Sequence, residues 1–140
     1  MRILSIDYGE KRIGLAMSDP LGYTAQGLKT LERKNKKQVL ADLKKICEDN
    51  GVGEVLIGLP INMNGSIGPK AKEVMEFVAD AEAVLSLPIK TWDERLTSRQ
   101  AGRMMTDAGV SQRKQRKSVD ELAATLILQS YLESRRMSGK

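Results

Sequence analysis

The sequence has no histidine, and a single cysteine, Cys47, among 140 residues. The first absence removes the Ser-His-Asp triad, the Cys-His pair and imidazole acid–base catalysis. The two together remove a zinc site of the usual nitrogen and sulfur ligands, and one cysteine permits no intrachain disulfide. Any bound metal must then be a hard cation held by oxygen, Mg²⁺ or Mn²⁺. Aromatic residues are scarce at 4%, which disfavours a base-stacking platform for single strands. No apolar run approaches the roughly 20 residues of a bilayer span. The chain opens on a strand-like segment, without the basic, apolar and small-residue zones of a secretory signal. A cytoplasmic protein in a reducing compartment, with no membrane partner, is expected.

Apolar residues make up 41% and charged residues 29% of the chain. That balance supports a packed interior, and the length fits a single domain over residues 1–140. The net charge is +5, and it is uneven: residues 111–140 carry seven cations (Arg113, Lys114, Arg116, Lys117, Arg135, Arg136, Lys140) against three acids. A basic field of this kind favours a polyanionic partner, while its plainer reading is a solvated loop and tail.

Periodicity organises the rest. Arg2–Asp7 and Arg12–Ser18 are β-branched and apolar, and the glycine turn between them makes a hairpin. Tyr23–Leu31 is a third, weaker strand. Asn35–Asn50 places Val39, Leu40, Leu43, Ile46 and Cys47 at helical spacing, stopped by Gly51. Glu54–Leu59 reads as a central strand and Lys70–Leu85 as a second helix. Pro88–Trp92 reads as a last strand, running into Asp93 and Glu94. Thr97–Ala108 reads as a third helix, Val110–Lys117 as a basic loop and Ser118–Ser134 as a final helix. This order predicts an α/β fold with a mixed sheet, antiparallel at the start and parallel later, covered by helices.

The acids fall at informative places. Asp7 ends the first strand, Asp93 and Glu94 end the last, and Asp120 opens the final helix. Open α/β sheets bind ligands at such an edge. Carboxylates crowded together repel one another, an arrangement that a divalent cation relieves while activating water against a phosphodiester. Each acid also has a structural reading. Asp7 caps a turn, Asp93 pairs with Arg95 or caps the following helix, and Glu94 is a solvated loop charge. Asp120 favours the helix dipole, beside a capping box of Ser118 and Glu121. The loop Pro60–Pro69 (PINMNGSIGP) offers backbone amides to a phosphate or is a plain connection. It lacks the Lys-Ser/Thr ending of a Walker A loop.

Four collinear segments carry a family resemblance: Ile6–Asp19 (IDYGEKRIGLAMSD), Gly58–Gly65 (GLPINMNG), Trp92–Thr97 (WDERLT) and Lys117–Ala124 (KSVDELAA). Together they resemble the YqgF family, whose members are described as pre-16S rRNA nucleases and as Holliday junction resolvase-like proteins. One mild departure is Ser98, where a second threonine is common. The resemblance implies a ribonuclease H-like fold with a five-stranded mixed sheet and helices on both faces. It implies divalent-metal hydrolysis of phosphodiesters in the cytoplasm, in maturing the 5′ end of small-subunit rRNA. It also places the metal-binding and catalytic acids at positions matching Asp7, Glu94 and Asp120, with Asp93 the competitor for the middle position.

On that reading Lys11, Arg12, Asn64, Arg95, Arg113, Lys114, Arg116 and Lys117 hold structured RNA or branched DNA through its backbone. Junction resolution by a homodimer competes with RNA processing by a monomer or dimer. A non-catalytic nucleic-acid-binding factor is a further alternative. So is a sugar kinase or actin-like ATPase, whose Asp-x-Gly hairpin Asp7–Gly9 matches; the chain has room for only one of the two domains such proteins need.

Overall fold

The computed structural model describes residues 1–97 and 112–137, in the second segment with the side chains of 122–135. Five strands form one sheet: β1 (Arg2–Tyr8), β2 (Arg12–Ser18), β3 (Ala25–Glu32), β4 (Val52–Leu59) and β5 (Ile89–Asp93). Their order across the sheet is β3-β2-β1-β4-β5. The β1–β2 and β2–β3 pairs are antiparallel, and β1–β4 and β4–β5 are parallel. The helices are α1 (Lys36–Asn50), α2 (Pro69–Leu85) and α3 (Gln112–Met137).

Strand alternation sorts the two faces. Leu4, Ile6 and Tyr8 of β1 join Val55 and Ile57 of β4 in a core completed by Val39, Leu40, Leu43 and Cys47 of α1 and Val74, Phe77 and Ala81 of α2. The intervening residues face α3, where Ile3, Ala16 and Leu56 meet Ala124, Ile127, Leu128, Tyr131 and Leu132. Two buried serine hydroxyls on this face are satisfied, whereas the buried Trp92 Nε1 has no partner among the described residues. Ser18 Oγ accepts from Ile3 N at 2.8 Å, and Ser5 Oγ donates to the Ala124 carbonyl at 2.9 Å.

The α1 boundaries follow from their caps. Asn35 accepts from Gln38 N, and Gly51 closes the helix at φ 65°, donating to the carbonyls of Cys47 and Glu48. Cys47 is buried, and burial pushes its thiol up to about 11, so it is an inert core residue.

Two expectations are corrected. Residues 112–117 are helical rather than a basic loop: Gln112–Lys117 (QRKQRK) contains only good helix formers and no Gly or Pro, so the charge run continues the helix. Asp120 is therefore the ninth residue of α3 and does not open it, and Ser118 with Glu121 is not a capping box. The third strand begins two residues later than expected, at Ala25, because Asp19 collects the N–H groups of Leu21, Tyr23 and Thr24 into a closed turn. The expected helix over 97–108 lies outside the described residues beyond Thr97.

Candidate active site

The parallel strands all end at one edge of the sheet. Ile6 stands beside Ile57, and Gly58 beside Trp92. Moving across that edge, Asp7, Gly58 and Glu94 therefore follow one another. All three share the strand parity of the α3 face, with Ser5, Leu56 and Trp92 two residues before them.

Gly58 sits between the two acids and makes room for them to meet. A Cβ there would stand 3.1 Å from Glu94 Cγ and 3.2 Å from its Cδ, and 2.7 Å from Ile127 Cδ1. The Glu94 side chain thus lies over bare backbone and reaches Asp7. Burial pushes the Glu94 carboxyl from 4.5 up to about 8, reinforced by the Asp7 charge and by a hydrogen bond between the two side chains; the Lys70 ammonium opposes the rise. A proton bridges two carboxyl groups that cannot both be charged at contact.

The Glu94 backbone is fixed on both sides. Asp93 caps the single 3₁₀ turn Glu94–Leu96 by accepting from Arg95 N at 3.0 Å. The buried Thr97 returns its N–H and its hydroxyl to the Glu94 carbonyl, each at 3.1 Å. Asp93 also binds the Arg95 guanidinium, with Nε at 2.9 Å and Nη2 at 2.6 Å from Oδ2. That hydrogen-bonded guanidinium holds the Asp93 carboxyl below its ordinary range. Of the two neighbouring acids, Asp93 is committed to Arg95 and Glu94 is the one that meets Asp7.

The remaining candidates are placed as follows. Lys11 is exposed in the β1–β2 turn, and Arg12 heads β2 opposite Glu32. Asn64 is exposed, but its Oδ1 accepts from Ser66 N and Oγ at 3.0 and 2.6 Å, bracing the loop after β4. Arg95 is already ion-paired, so a phosphate would have to share it with Asp93. Arg113, Lys114, Arg116 and Lys117 lie on the first two turns of α3, and their side chains are outside the described residues, as is that of Asp120. Among the described residues no group of three His, Cys, Asp or Glu converges to hold a metal. Sequence reasoning missed Gly58 and Lys70. Gly58 carried a signal: it is a glycine inside an otherwise apolar strand, at the start of the Gly58–Gly65 segment. Lys70, a helix-start cation, carried none.

An RNase H-like sheet with a carboxylate pair at its carboxyl edge defines the class. Solved structures share the fold. "T. thermophilus RuvC in complex with Holliday junction substrate" superposes with a TM-score of 0.58 at 14% identity, covering 97% of this chain and 96% of that one. The fowlpox virus Holliday junction resolvase gives 0.56 at 16% identity, covering 96% and 99%. The family follows from the sequence: the model described as "RuvX: Holliday junction resolvase" matches residues 1–134, and the chain belongs to that family. Relatives named "Putative pre-16S rRNA nuclease" are 49% identical in Clostridium novyi and 50% in Clostridium acetobutylicum, over 96% of this chain and 99% of each relative. One of the same name in Syntrophomonas wolfei is 46% identical over 95% and 94%. The YqgF resemblance and the ribonuclease H-like fold are thereby borne out.

Proposed function

We propose that this chain, as one domain over residues 1–140, is a divalent-metal nuclease of structured nucleic acid in the cytoplasm, acting on the 5′ end of precursor small-subunit rRNA. The observation that carries this is the meeting of Asp7 and Glu94 over Gly58. Family membership and the names of near relatives supply the substrate class. Two carboxyl groups in contact, with no imidazole or thiol near, fit a hard divalent cation, Mg²⁺ or Mn²⁺. When bound, such a cation supplies Lewis acidity at the phosphodiester and eases the ionisation of attacking water.

The protein's part is positional and protic. Asp7 and Glu94 are the ligands, and Glu94 must surrender its proton to serve. Asp120 is the third. Its placement has backbone support, because Ser5 touches Ala124 while Tyr131 touches Glu54 at the start of β4. Thus α3 runs against the direction of β1 and β4. Two residues along β1 from Ser5, about 6.6 Å, reach Asp7. One turn back along α3 from Ala124, about 6 Å, reaches Asp120. Lys11, Arg12, Asn64, Arg95 and the four cations of residues 113–117 hold the phosphate backbone, and water cleaves one P–O bond.

Resolution of branched DNA is the second reading, favoured by the description of the family model. One experiment separates the two. A precursor rRNA leader and a four-way DNA junction are incubated with Mg²⁺, Mn²⁺ or EDTA, using wild type and Asp7→Ala. Metal-dependent cleavage of the RNA alone, lost in the variant, is expected. Cleavage of the junction alone replaces the substrate assignment. Binding without cleavage of either removes the enzymatic reading.

A further inference from the structure

Behind the carboxylate pair, on the opposite face of the sheet, lies an arginine that neither sequence motif nor charge pattern singled out. Arg33 follows β3, and its backbone N–H donates to the Lys11 carbonyl at 2.9 Å. Its guanidinium donates through Nη1 to the Gly9 carbonyl at 2.9 Å. Through Nη2 it pairs with Glu73 of α2. The guanidinium also lies 4.0 Å over the Tyr8 ring, whose other face stacks on Phe77 of α2 at 4.1 Å and 19°. One side chain therefore ties together the end of β1, the turn that follows it, and α2.

The turn needs such a tie. It is short, running from Tyr8 to Arg12, and Gly9 N donates to the Asp7 carbonyl at 3.1 Å. At Gly9 even a Cβ would stand 2.5 Å from the Arg12 carbonyl oxygen, so the turn closes on itself with no side-chain filling. Beyond that internal bond, Arg33 holds it from outside through the Lys11 and Gly9 carbonyls. Asp7 immediately precedes Tyr8, with its side chain on the other face of the same strand, so the backbone at the end of β1 that Arg33 ties down is the backbone that carries Asp7.

Resting on the reading of Asp7 and Glu94 as metal ligands, we propose that Arg33 is a positioning residue. It clamps the Tyr8–Lys11 turn between β3 and α2 and so holds Asp7 at the distance where it shares a cation with Glu94. A direct phosphate contact fits Arg33 less well: its side chain is only 23% exposed, its charge is already paired with Glu73, and one Nη1 donor is held by the Gly9 carbonyl. Lysine cannot replace it, since a point charge supplies neither the planar stack on Tyr8 nor two simultaneous bonds in fixed directions.

The test uses Arg33→Lys, Arg33→Ala and Glu73→Gln in the full chain. It reads Mn²⁺ affinity by calorimetry, hydrogen exchange of the Tyr8–Arg12 amides, Tm, and the kcat and KM of cleavage. Arg33→Lys is expected to keep a near wild-type Tm, speed exchange in the turn, weaken Mn²⁺ about tenfold and lower kcat at constant KM. A catalytic group misplaced by about 1 Å loses on the order of 10²-fold. Glu73→Gln shifts all of these in the same direction by less. Wild-type exchange and Mn²⁺ affinity in Arg33→Lys overturn the proposal, whatever happens to Arg33→Ala. So does a loss confined to KM and to the salt dependence of binding, which marks a phosphate contact. If the wild type neither binds Mn²⁺ nor cuts a substrate, the reading of the site falls, and the exchange of the turn still decides whether Arg33 is its clamp.

Discussion

The proton shared by Glu94 and Asp7 links pH, stability and metal. In the folded, metal-free protein Glu94 titrates near 8 rather than 4.5. Between these values the folded chain holds a proton that the unfolded chain has lost, so stability falls as pH rises through the window. Metal-free Tm is therefore expected to drop from pH 5 to pH 8.5. Asp7→Asn, which removes the like charge, should flatten that drop, and Mn²⁺ at pH 8 should reverse it. A metal-free Tm that stays level across the window, equal in wild type and variant, places the proton elsewhere. Gly58 gives a second test. Gly58→Ala brings a methyl against both Ile127 and Glu94, an overpacking that costs about 1–3 kcal/mol. Adding Ile127→Val relieves only the first clash. The double variant should recover Tm but not cleavage; recovery of both would show that Glu94 tolerates the methyl and that Gly58 serves packing alone.

Elements were legible where a period or a cap declared them. The hairpin, the Asn35–Gly51 bounds of α1 and the change from antiparallel to parallel pairing follow from alternation, helical spacing and chain order. The start of α3 was not legible, because Gln112–Lys117 carries no apolar stripe and charge alone does not distinguish a solvated helix from a loop. Asp7 and Glu94 were readable as strand-end acids. The choice of Glu94 over Asp93 came from the family resemblance, and it takes the Asp93–Arg95 pairing to give it a physical reason. Nothing local predicted how α3 is pinned. Tyr131 donates to the buried Glu54 at 2.7 Å, with Lys90 Nζ at 3.5 Å and Arg135 Nη1 at 3.8 Å from the same carboxylate. These partners are separated by up to 81 residues in sequence, and only the sheet brings them together. Tyr131→Phe leaves a buried carboxylate short of one donor, at a cost of about 1–3 kcal/mol. Urea unfolding should show that loss while the folded fraction cuts at the wild-type rate, since the pin lies at the opposite edge of the sheet from Glu94. A parallel fall in rate would mean that the far end of α3 sets the geometry of the site.

Across the molecule, the net charge of +5 matters only through where its cations stand. On α1 the cations are partly matched: Lys36 meets Asp80 at 2.9 Å and Lys45 meets Asp49 at 3.2 Å. Arg113, Lys114, Arg116 and Lys117 begin the helix on the other face of the sheet, with Glu94 and Asp7 on that same face. If they neutralise phosphates, each releases counterions, and the slope of log affinity against log salt for a duplex arm changes by about 0.9 per contact. Glutamine at all four positions keeps a helix former in place and removes the charge. The slope should then fall by about 3 to 4 units, with kcat at saturating substrate retained, because these side chains bind the backbone and do not touch the reacting atoms. Lys45→Gln, on the far side of the sheet, removes one charge from the same total and should leave the slope unchanged. That control separates a located contact from the general field of a basic protein. Equal slopes in the quadruple variant and the wild type would make residues 113–117 a solvated helix start and move the nucleic-acid track to the β1–β2 turn, where Lys11 and Arg12 stand.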